Sequence, residues 1–207
     1  PGEFGEIINL EIAPDTIREK TVTVEATLTK LVNSVPGNVT ATAKVDDLLP
    51  MRGTPGPDLM IGDETSEEIT GDKGNDSINA FEGDNTIDGQ EGDDTIIAGD
   101  GNNTVRGSEG DDFIQLGDGN NTVEGGIGNN TIELGNGNNL VLLTGTSNVL
   151  RAGNGANTVT AQDGTNVITL GGGNNVIELM SGANTVTSGD NDNTVDILDG
   201  SNALHMG

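Results

Sequence analysis

An aliphatic residue or Met recurs at every ninth position from Met60 to Leu204, and this period dominates the chain. Residues 53–205 divide into 17 consecutive nonapeptides without an insertion or a deletion. In each nonapeptide the eighth residue is aliphatic or Met, the sixth is acidic or an amide, and the fourth is usually Gly. Because so short a unit cannot bury its apolar face alone, this strict period predicts one small unit stacked many times.

Each nonapeptide combines a turn with a very short strand. Positions 1 to 5, as in residues 71–75, are rich in Gly and Asn, which tolerate positive φ. Positions 6 to 9, as in residues 76–79, place one inward-pointing aliphatic residue among strand-forming neighbours, often Thr. Two nonapeptides then make one coil of 18 residues and add a strand to each of two facing sheets. The predicted fold is an all-β, right-handed parallel β-roll, which is a two-sheet β-solenoid.

The first 52 residues follow a different pattern. Residues 21–32 alternate Val, Ala and Leu with Thr and Glu, and residues 39–45 alternate again after a turn signal at residues 35–38. This pattern predicts a small β-hairpin unit. Its role is either to cap the first open rung of the solenoid or to pair, as a strand, with a neighbouring molecule.

Composition and charge narrow the classes of function. The chain has 33 Gly but no Cys, Trp or Tyr, which suits a thin solenoid better than a globule with an aromatic core. The net charge of −26 excludes a protein that binds nucleic acid through its phosphates and favours a cation as partner. Residues 53–112 carry 17 acidic and 2 basic side chains, whereas residues 113–207 carry 9 and 1. The acidic side chains are therefore concentrated where the array begins. The sequence also contains no apolar run with the length of a membrane span.

The nonapeptide resembles the calcium-binding repeat G-G-x-G-x-D-x-U-x of the RTX family. Segments 71–79 (GDKGNDSIN), 89–97 (GQEGDDTII) and 107–115 (GSEGDDFIQ) keep Gly at position 4, Asp at position 6 and Ile at position 8, although the second Gly is replaced. The resemblance implies a parallel β-roll with Ca²⁺ in its turns, held by position-6 carboxylates of stacked turns and by backbone carbonyls. It also implies a protein that is secreted from a bacterium and acts outside the cell or at its surface.

Position 6 changes its chemistry along the array. Since alternate nonapeptides lie on opposite edges of the roll, four aspartates are expected to stack on one edge: Asp58, Asp76, Asp94 and Asp112. The opposite edge begins with Glu67, Asn85 and Asn103. Because Ca²⁺ takes several oxygen ligands, some of them anionic, the predicted sites lie only on the first edge, between successive aspartates.

From residue 113 onward, every position 6 is Asn. We expect these amides to stack in register, each donating to the next, so that the turns hold without metal. The predicted ladder comprises Asn121, Asn130, Asn139, Asn148, Asn157, Asn166, Asn175, Asn184, Asn193 and Asn202. The alternative interpretation is that Asn is favoured there because it tolerates a left-handed backbone. The ladder divides the chain into an N-terminal unit at 1–52, calcium-binding repeats at 53–112 and metal-independent repeats at 113–207.

Nothing in the sequence predicts catalysis. Carboxylate pairs repeat with the period of the array, His205 stands alone near the end, and coils this narrow without Trp or Tyr leave little room for a sugar subsite. We therefore expect an extracellular structural protein that is not an enzyme and that associates end to end into a fibre, surface layer or biofilm matrix. The alternative is a repeat module of a secreted adhesin, binding cells or ice, or a non-catalytic module of a secreted enzyme. A surface or a polysaccharide is the further partner that these functions suggest.

Overall fold

The computed structural model describes residues 17–19, 21–28, 39–46 and 50–207. Within these ranges the chain consists of strands and turns, and it contains no helix that could cross a membrane. In chain order the strands are β1 (Ile17–Glu19), β2 (Thr21–Leu28), β3 (Val39–Asp46), β4 (Met51–Arg52), β5 (Leu59–Ile61), β6 (Glu68–Thr70), β7 (Ser77–Asn79), β8 (Thr86–Glu91), β9 (Thr95–Ala98), β10 (Thr104–Glu109), β11 (Phe113–Leu116), β12 (Thr122–Glu124), β13 (Thr131–Leu134), β14 (Leu140–Leu143), β15 (Ser147–Ala152), β16 (Thr158–Ala161), β17 (Thr165–Leu170), β18 (Val176–Leu179), β19 (Thr185–Ser188), β20 (Thr194–Ile197) and β21 (Ala203–Met206).

The strands alternate between two parallel sheets. The ten-stranded sheet contains β1 and the odd-numbered strands from β5 to β21, and the nine-stranded sheet contains the even-numbered strands from β4 to β20. Within the repeats each strand pairs in register with the strand one coil away, so that Ile78 lies opposite Ile96 and Val105 opposite Val123. The predicted parallel β-solenoid, with two sheets and 18 residues per coil, is therefore confirmed.

Most strands of the repeats begin one residue later than the pattern predicts, at position 7, whereas β15 and β17 begin at position 5. Many strands continue into position 1 of the next nonapeptide, as β11 does at Leu116. Position 1 is Gly in most early repeats and often Leu in later ones, and Leu116 is only 3% exposed. A buried Leu extends the apolar inner face beyond position 8, although a strand can also continue through Gly, as β8 and β10 do at Gly89 and Gly107. In most repeats position 6 lies at the junction of turn and strand.

The core is a column of position-8 side chains that meet between the two sheets. Ile78, Ile96 and Ile114 are at most 1% exposed, and their equivalents from Met60 to Val186 are buried to the same degree. Position 1 adds a second buried row in the later repeats, where Leu143 and Leu179 are fully buried. Burying a Leu side chain contributes about 1.5–3 kcal/mol relative to leaving it exposed. Apolar burial per coil therefore increases along the array.

The segment before the repeats supplies a hairpin and the first rung of the solenoid. Strands β2 and β3 pair antiparallel, from Thr21 opposite Asp46 to Leu28 opposite Val39, which confirms the predicted hairpin. The predicted turn at residues 35–38 lies outside the described residues. Strand β1 pairs in parallel with β5 and forms one end of the ten-stranded sheet. An element that precedes the nonapeptides thus covers the edge that β5 would otherwise present to solvent.

The opposite end of the rod is open. Strands β20 and β21 are the terminal strands of the two sheets, and each has a strand neighbour on one side only among the described residues. Ile197 is 45% exposed and Leu204 is 39% exposed. Their equivalents in the preceding coil, Leu179 and Val186, are by contrast fully buried. The last coil therefore presents the apolar surface that every earlier coil covers with its successor.

Candidate metal centre

The position-6 side chains form two stacks, one on each edge of the solenoid. We call the first the aspartate edge: Asp58, Asp76, Asp94, Asp112, Asn130, Asn148, Asn166, Asn184 and Asn202. We call the second the amide edge: Glu67, Asn85, Asn103, Asn121, Asn139, Asn157, Asn175 and Asn193. The structure thus brings the four aspartates singled out by the sequence into one stack.

One carboxylate oxygen in each of Asp76, Asp94 and Asp112 joins neighbouring coils of the aspartate edge. The backbone N–H of Asp58 donates to Asp76 Oδ1 at 2.8 Å, that of Asp76 to Asp94 Oδ1 at 2.8 Å, and that of Asp94 to Asp112 Oδ1 at 3.0 Å. Asp112 makes the same bond to Asn130 Oδ1 at 2.9 Å. The Oδ1 atoms therefore have a structural role that an amide can share with a carboxylate.

The second oxygen distinguishes three of the aspartates. Among the described residues, the Oδ2 atoms of Asp76, Asp94 and Asp112 are buried and have no hydrogen-bond partner. Leaving such an oxygen buried and unpaired is costly, and more so when the group is ionised. Asp58 differs, because its Oδ2 accepts hydrogen bonds from the backbone N–H and, at 2.9 Å, from the hydroxyl of Thr54. Three unpaired oxygens in a row on one edge mark a place for a cation.

Backbone carbonyls converge on the same place. A Cβ added to Gly71 would lie 2.5 Å from Asp76 Oδ2 and would also collide with the carbonyl oxygen of Gly89. A Cβ added to Gly107 would likewise collide with Asp112 Oδ2 and would lie 2.5 Å from the carbonyl oxygen of Gly125. A carboxylate oxygen and a carbonyl oxygen of the next coil thus approach each position-1 glycine together. This oxygen set fits a hard divalent cation.

A cation at this place would take most of its ligands from the backbone. Within the described residues, no three Asp, Glu, His or Cys side chains are grouped closely enough to hold a metal ion by themselves. The aspartate edge has one position-6 carboxylate per coil, so carbonyl oxygens would have to complete the coordination of a cation there. A search for clustered acidic side chains would therefore miss a site of this kind.

From Asn85 onward, the amide edge satisfies its turns with hydrogen bonds alone. Asn103 Nδ2 donates to Asn121 Oδ1 at 3.1 Å, and this side-chain bond repeats in every coil as far as Asn193. Within its own turn, Asn103 Nδ2 also lies 3.3 Å from the carbonyl oxygens of Gly99 and Gly101. The amides of this edge therefore link the coils and bind the turn carbonyls at once.

The aspartate edge acquires a similar ladder only in its second half. Asn148 Nδ2 donates to Asn166 Oδ1 at 2.8 Å, and the bond repeats to Asn184 and Asn202. Asn130 is different, since its Nδ2 donates to the carbonyl oxygen of Gly126 at 3.3 Å. In the described residues no position-6 Asn lies in the left-handed region, so tolerance of that conformation does not explain why Asn recurs there.

A family model for the RTX calcium-binding nonapeptide repeat, in four copies, matches this chain. The matched residues are 61–96, 79–114, 88–123, 97–132, 106–141 and 144–177, which together span more than half of the sequence. The chain belongs to the RTX calcium-binding nonapeptide repeat family. RTX repeats bind calcium and are not catalytic by themselves, and the proteins that carry them are typically secreted by bacteria. No curated protein and no solved structure matches the chain.

The RTX turn has a backbone feature that the sequence concealed. On the aspartate edge, position 2 has a positive φ at Asp72 (77°), Gln90 (73°), Ser108 (81°) and Gly126 (86°). The RTX pattern has its second Gly there, and Gly is the residue that adopts this conformation without strain. Because three of the four residues are not Gly, composition alone gave no signal of the left-handed turn. Only the alignment with the family pattern could have indicated it.

The carboxylates of this RTX edge are held in an environment that disfavours their charge. Burial raises the pKa of Asp94 to about 7, and the neighbouring charges of Asp112, Asp76 and Asp93 add to the effect. Burial likewise raises the pKa of Asp112 to about 6. The pKa of Asp76 is raised in the same direction, again mainly by burial. Hydrogen bonds from backbone N–H groups oppose these shifts without cancelling them. A bound cation would compensate the buried negative charge of these carboxylates.

Without calcium, the RTX roll is expected to gain stability as the pH falls. The folded pKa values of Asp94 and Asp112 lie above the ordinary value of 3.8, so the folded state takes up protons more readily than the unfolded chain. The contribution of these two carboxyl groups to the stability of the folded state is fully present below pH 3.8 and is lost as the pH rises through 6 and 7. Thermal unfolding in EGTA should give a higher midpoint at pH 5 than at pH 8. Asp94→Asn should flatten this dependence, and an unchanged pH profile in that variant would contradict it.

Proposed function

We propose that this chain is an extracellular structural rod in which calcium binds along the aspartate edge. The observation that carries the proposal is the row of three buried, unpaired carboxylate oxygens of Asp76, Asp94 and Asp112. In each site the carboxylate acts with the position-1 carbonyl of the next coil, from Gly89 to Gly125. Calcium supplies charge compensation there, so its binding free energy becomes folding free energy for these coils.

This arrangement shifts the sites by one coil from those that the spacing of the aspartates suggests. Asp58 forms the first rung of the stack, but Thr54 already donates to its Oδ2. The third site takes its carbonyl from Gly125, which lies beyond the last aspartate. The division of the chain into an N-terminal unit at 1–52, calcium-binding repeats at 53–112 and metal-independent repeats at 113–207 is part of the proposal. The repeat beginning at Gly125 joins the second and third parts.

Counting the bound ions tests the sites directly. Titration calorimetry and native mass spectrometry should give about three calcium ions per chain, one for each unpaired carboxylate oxygen. Each of Asp76→Asn, Asp94→Asn and Asp112→Asn should remove one ion. Asp93→Asn is the matched control, because this neighbouring side chain is exposed and does not belong to the stack. Absence of saturable binding, or a number close to one ion per turn of both edges, would contradict the proposal.

The open last coil supports association of the rods end to end. Its exposed apolar side chains and its unpaired strand edges form a surface of the kind that every other coil buries. Burial of this surface against another molecule would extend both sheets. Such assemblies would lie at the cell surface or in the extracellular matrix, as a fibre, a surface layer or part of a biofilm.

Substitution of the open end should abolish this association. Leu204→Asp places a charge on the position-8 side chain that the last coil leaves 39% exposed, so light scattering should show monomers where the wild-type chain forms larger species. Leu140→Asp is the matched control, because Leu140 is 50% exposed but lies on the outer face in the middle of the rod. Electron microscopy with and without calcium would show whether the species are fibres. Equal association of both variants would contradict a role for the end.

A second candidate is a non-catalytic module of a larger secreted protein, such as an adhesin or an enzyme. The same open coil favours it, because a further repeat unit of one polypeptide would cover this surface as well as a second copy would. A wild-type chain that stays monomeric at every concentration, with and without calcium, would favour this module over the self-associating rod.

A further inference from the structure

We propose that the position-6 amides of the amide edge take the place that calcium takes on the aspartate edge. Calcium would then govern one edge of the early coils, while the other edge stays closed at all calcium concentrations. This inference rests on the proposed binding of calcium by the aspartate edge. The residues that decide which turns need calcium are the position-6 amides, and these lie outside the metal site itself.

The oxygen atoms around each amide nitrogen are those that a cation would collect. Asn103 Nδ2 lies 3.3 Å from the carbonyl oxygens of Gly99 and Gly101 and 3.1 Å from Asn121 Oδ1. Two turn carbonyls and one side-chain oxygen of the next coil thus surround a single N–H₂ group. An amide donates hydrogen bonds to such oxygens without any counter-charge.

The same set of oxygens recurs along the amide edge. Asn157 Nδ2 lies 3.3 Å from the carbonyl oxygen of Gly153, 3.1 Å from that of Gly155 and 3.0 Å from Asn175 Oδ1. Asn157 is fully buried, so water does not compete for these bonds. The arrangement therefore recurs with the turn and does not depend on the packing around a single residue.

On the aspartate edge the equivalent atom has the opposite character. Oδ2 of Asp94 occupies the side-chain position of an amide nitrogen, but it is an acceptor, and it is buried without a donor. Exchange of nitrogen for oxygen at this one atom converts attraction to the turn carbonyls into repulsion. Asn130 shows the reverse exchange, from oxygen to nitrogen, on the aspartate edge itself. Its Nδ2 donates to the carbonyl oxygen of Gly126 within a left-handed turn of that edge. Whether this one side-chain atom is a nitrogen or an oxygen thus decides whether the turn is held by an amide or requires a cation.

Each early coil is consequently expected to open on one side only when calcium is removed. The turns at residues 71–76, 89–94 and 107–112 should lose their support. The turns at residues 80–85 and 98–103 should keep theirs, because their amides need no ion. Hydrogen exchange resolved to single turns should show this alternation in the wild-type chain in EGTA. Equal loss of protection on both edges of the same coils would overturn the inference.

A gain of calcium dependence provides the second test. Asn103→Asp with Asn121→Asp places two adjacent carboxylates on the amide edge, each with a buried oxygen where the donating nitrogen was. The double variant should unfold at a lower temperature than wild type in EGTA, recover in calcium and bind at least one additional ion. Asn102→Asp with Asn120→Asp is the matched control, because these neighbouring side chains are exposed and the charge change is identical. The control should show neither the loss in EGTA nor the extra ion.

The outcomes separate this inference from the proposed function. A wild-type chain that binds no calcium would overturn the proposed function, and with it the role of calcium in this comparison. A wild-type chain that binds calcium, alongside a double variant that is as stable in EGTA as its control, would overturn the amide inference alone. Failure of calcium to restore the double variant would overturn it as well. The reciprocal Asp94→Asn variant should lose one ion and yet fold in EGTA at least as well as wild type.

Discussion

Chelation of calcium is expected to open the aspartate-edge turns within residues 53–112 while residues 121–205 keep their β-sheet signal. Each site filled at about 100 times its dissociation constant contributes about 2.7 kcal/mol, so three sites contribute about 8 kcal/mol. The first half loses this support and retains three buried carboxylates that lack a partner. The second half loses nothing, because its coils are joined by amide side chains and by a second row of buried Leu.

Hydrogen exchange before and after addition of EGTA measures this difference along the chain. Early turns on the aspartate edge should exchange within the dead time of the experiment, and later turns should remain protected. Magnesium at equal ionic strength should not restore protection, since it demands a smaller and more regular oxygen shell. A variant that carries Asp76→Asn, Asp94→Asn and Asp112→Asn together should be insensitive to the chelator. Uniform loss of protection along the whole rod would rule out a division between metal-supported and metal-independent coils.

The strict period explains why so much of the architecture could be predicted from the sequence. A repeat of nine residues with one aliphatic position fixes which side chains point inward, and two repeats per coil fix which of them share an edge. The stack of Asp58, Asp76, Asp94 and Asp112 follows from this arithmetic alone, since these residues are 18 apart. No long-range contact has to be guessed when every contact is to the same position of the adjacent coil.

The details that decide the chemistry did not follow from the period. Asp58 and Asp76 are equivalent in the pattern, yet Thr54 satisfies one of them and leaves the other unpaired. That difference depends on position 2 of the nonapeptide, where the residue varies from one repeat to the next. The left-handed turn at Gln90 and Ser108 was hidden because neither residue is typical of that conformation. The sequence therefore predicts the lattice well, and the structure is needed to see which oxygen atoms remain free for a cation.

The two edges also show how one position can carry two kinds of support. At position 6 the side-chain Oδ1 accepts a backbone N–H from the preceding coil whether the residue is Asp or Asn, as Asp94 and Asn121 illustrate. This bond preserves the stacking of the turns in both halves of the rod. The second atom of the side chain is then free to vary, either as an oxygen that requires a cation or as a nitrogen that replaces it. A change from calcium dependence to independence thus needs no change of fold.

The largest effect of a single substitution in the second half is expected for Asn157→Ala. Asn157 is fully buried, its Oδ1 accepts from Asn139 Nδ2 at 2.9 Å, and the two N–H groups of its Nδ2 are shared among three oxygens that lie within 3.3 Å. Ala removes both side-chain atoms, so the amide of Asn139 and the carbonyl of Gly153 lose partners in a place that water does not reach. Each buried group left unsatisfied costs about 1–3 kcal/mol, and the total should be on the order of 3–6 kcal/mol.

Urea unfolding followed by circular dichroism, in EGTA and in calcium, measures this cost. Asn154→Ala is the matched control in the same turn, because Asn154 is exposed and its Oδ1 accepts only from Gly172 N–H at 2.8 Å. Water can replace that bond, so the control should lose less than about 1 kcal/mol. The loss in Asn157→Ala should be the same with and without calcium, since no metal supports this part of the rod. If both variants were equally stable, the amides would merely fill the turns, and the buried Leu residues of position 1 would have to account for the stability of the second half.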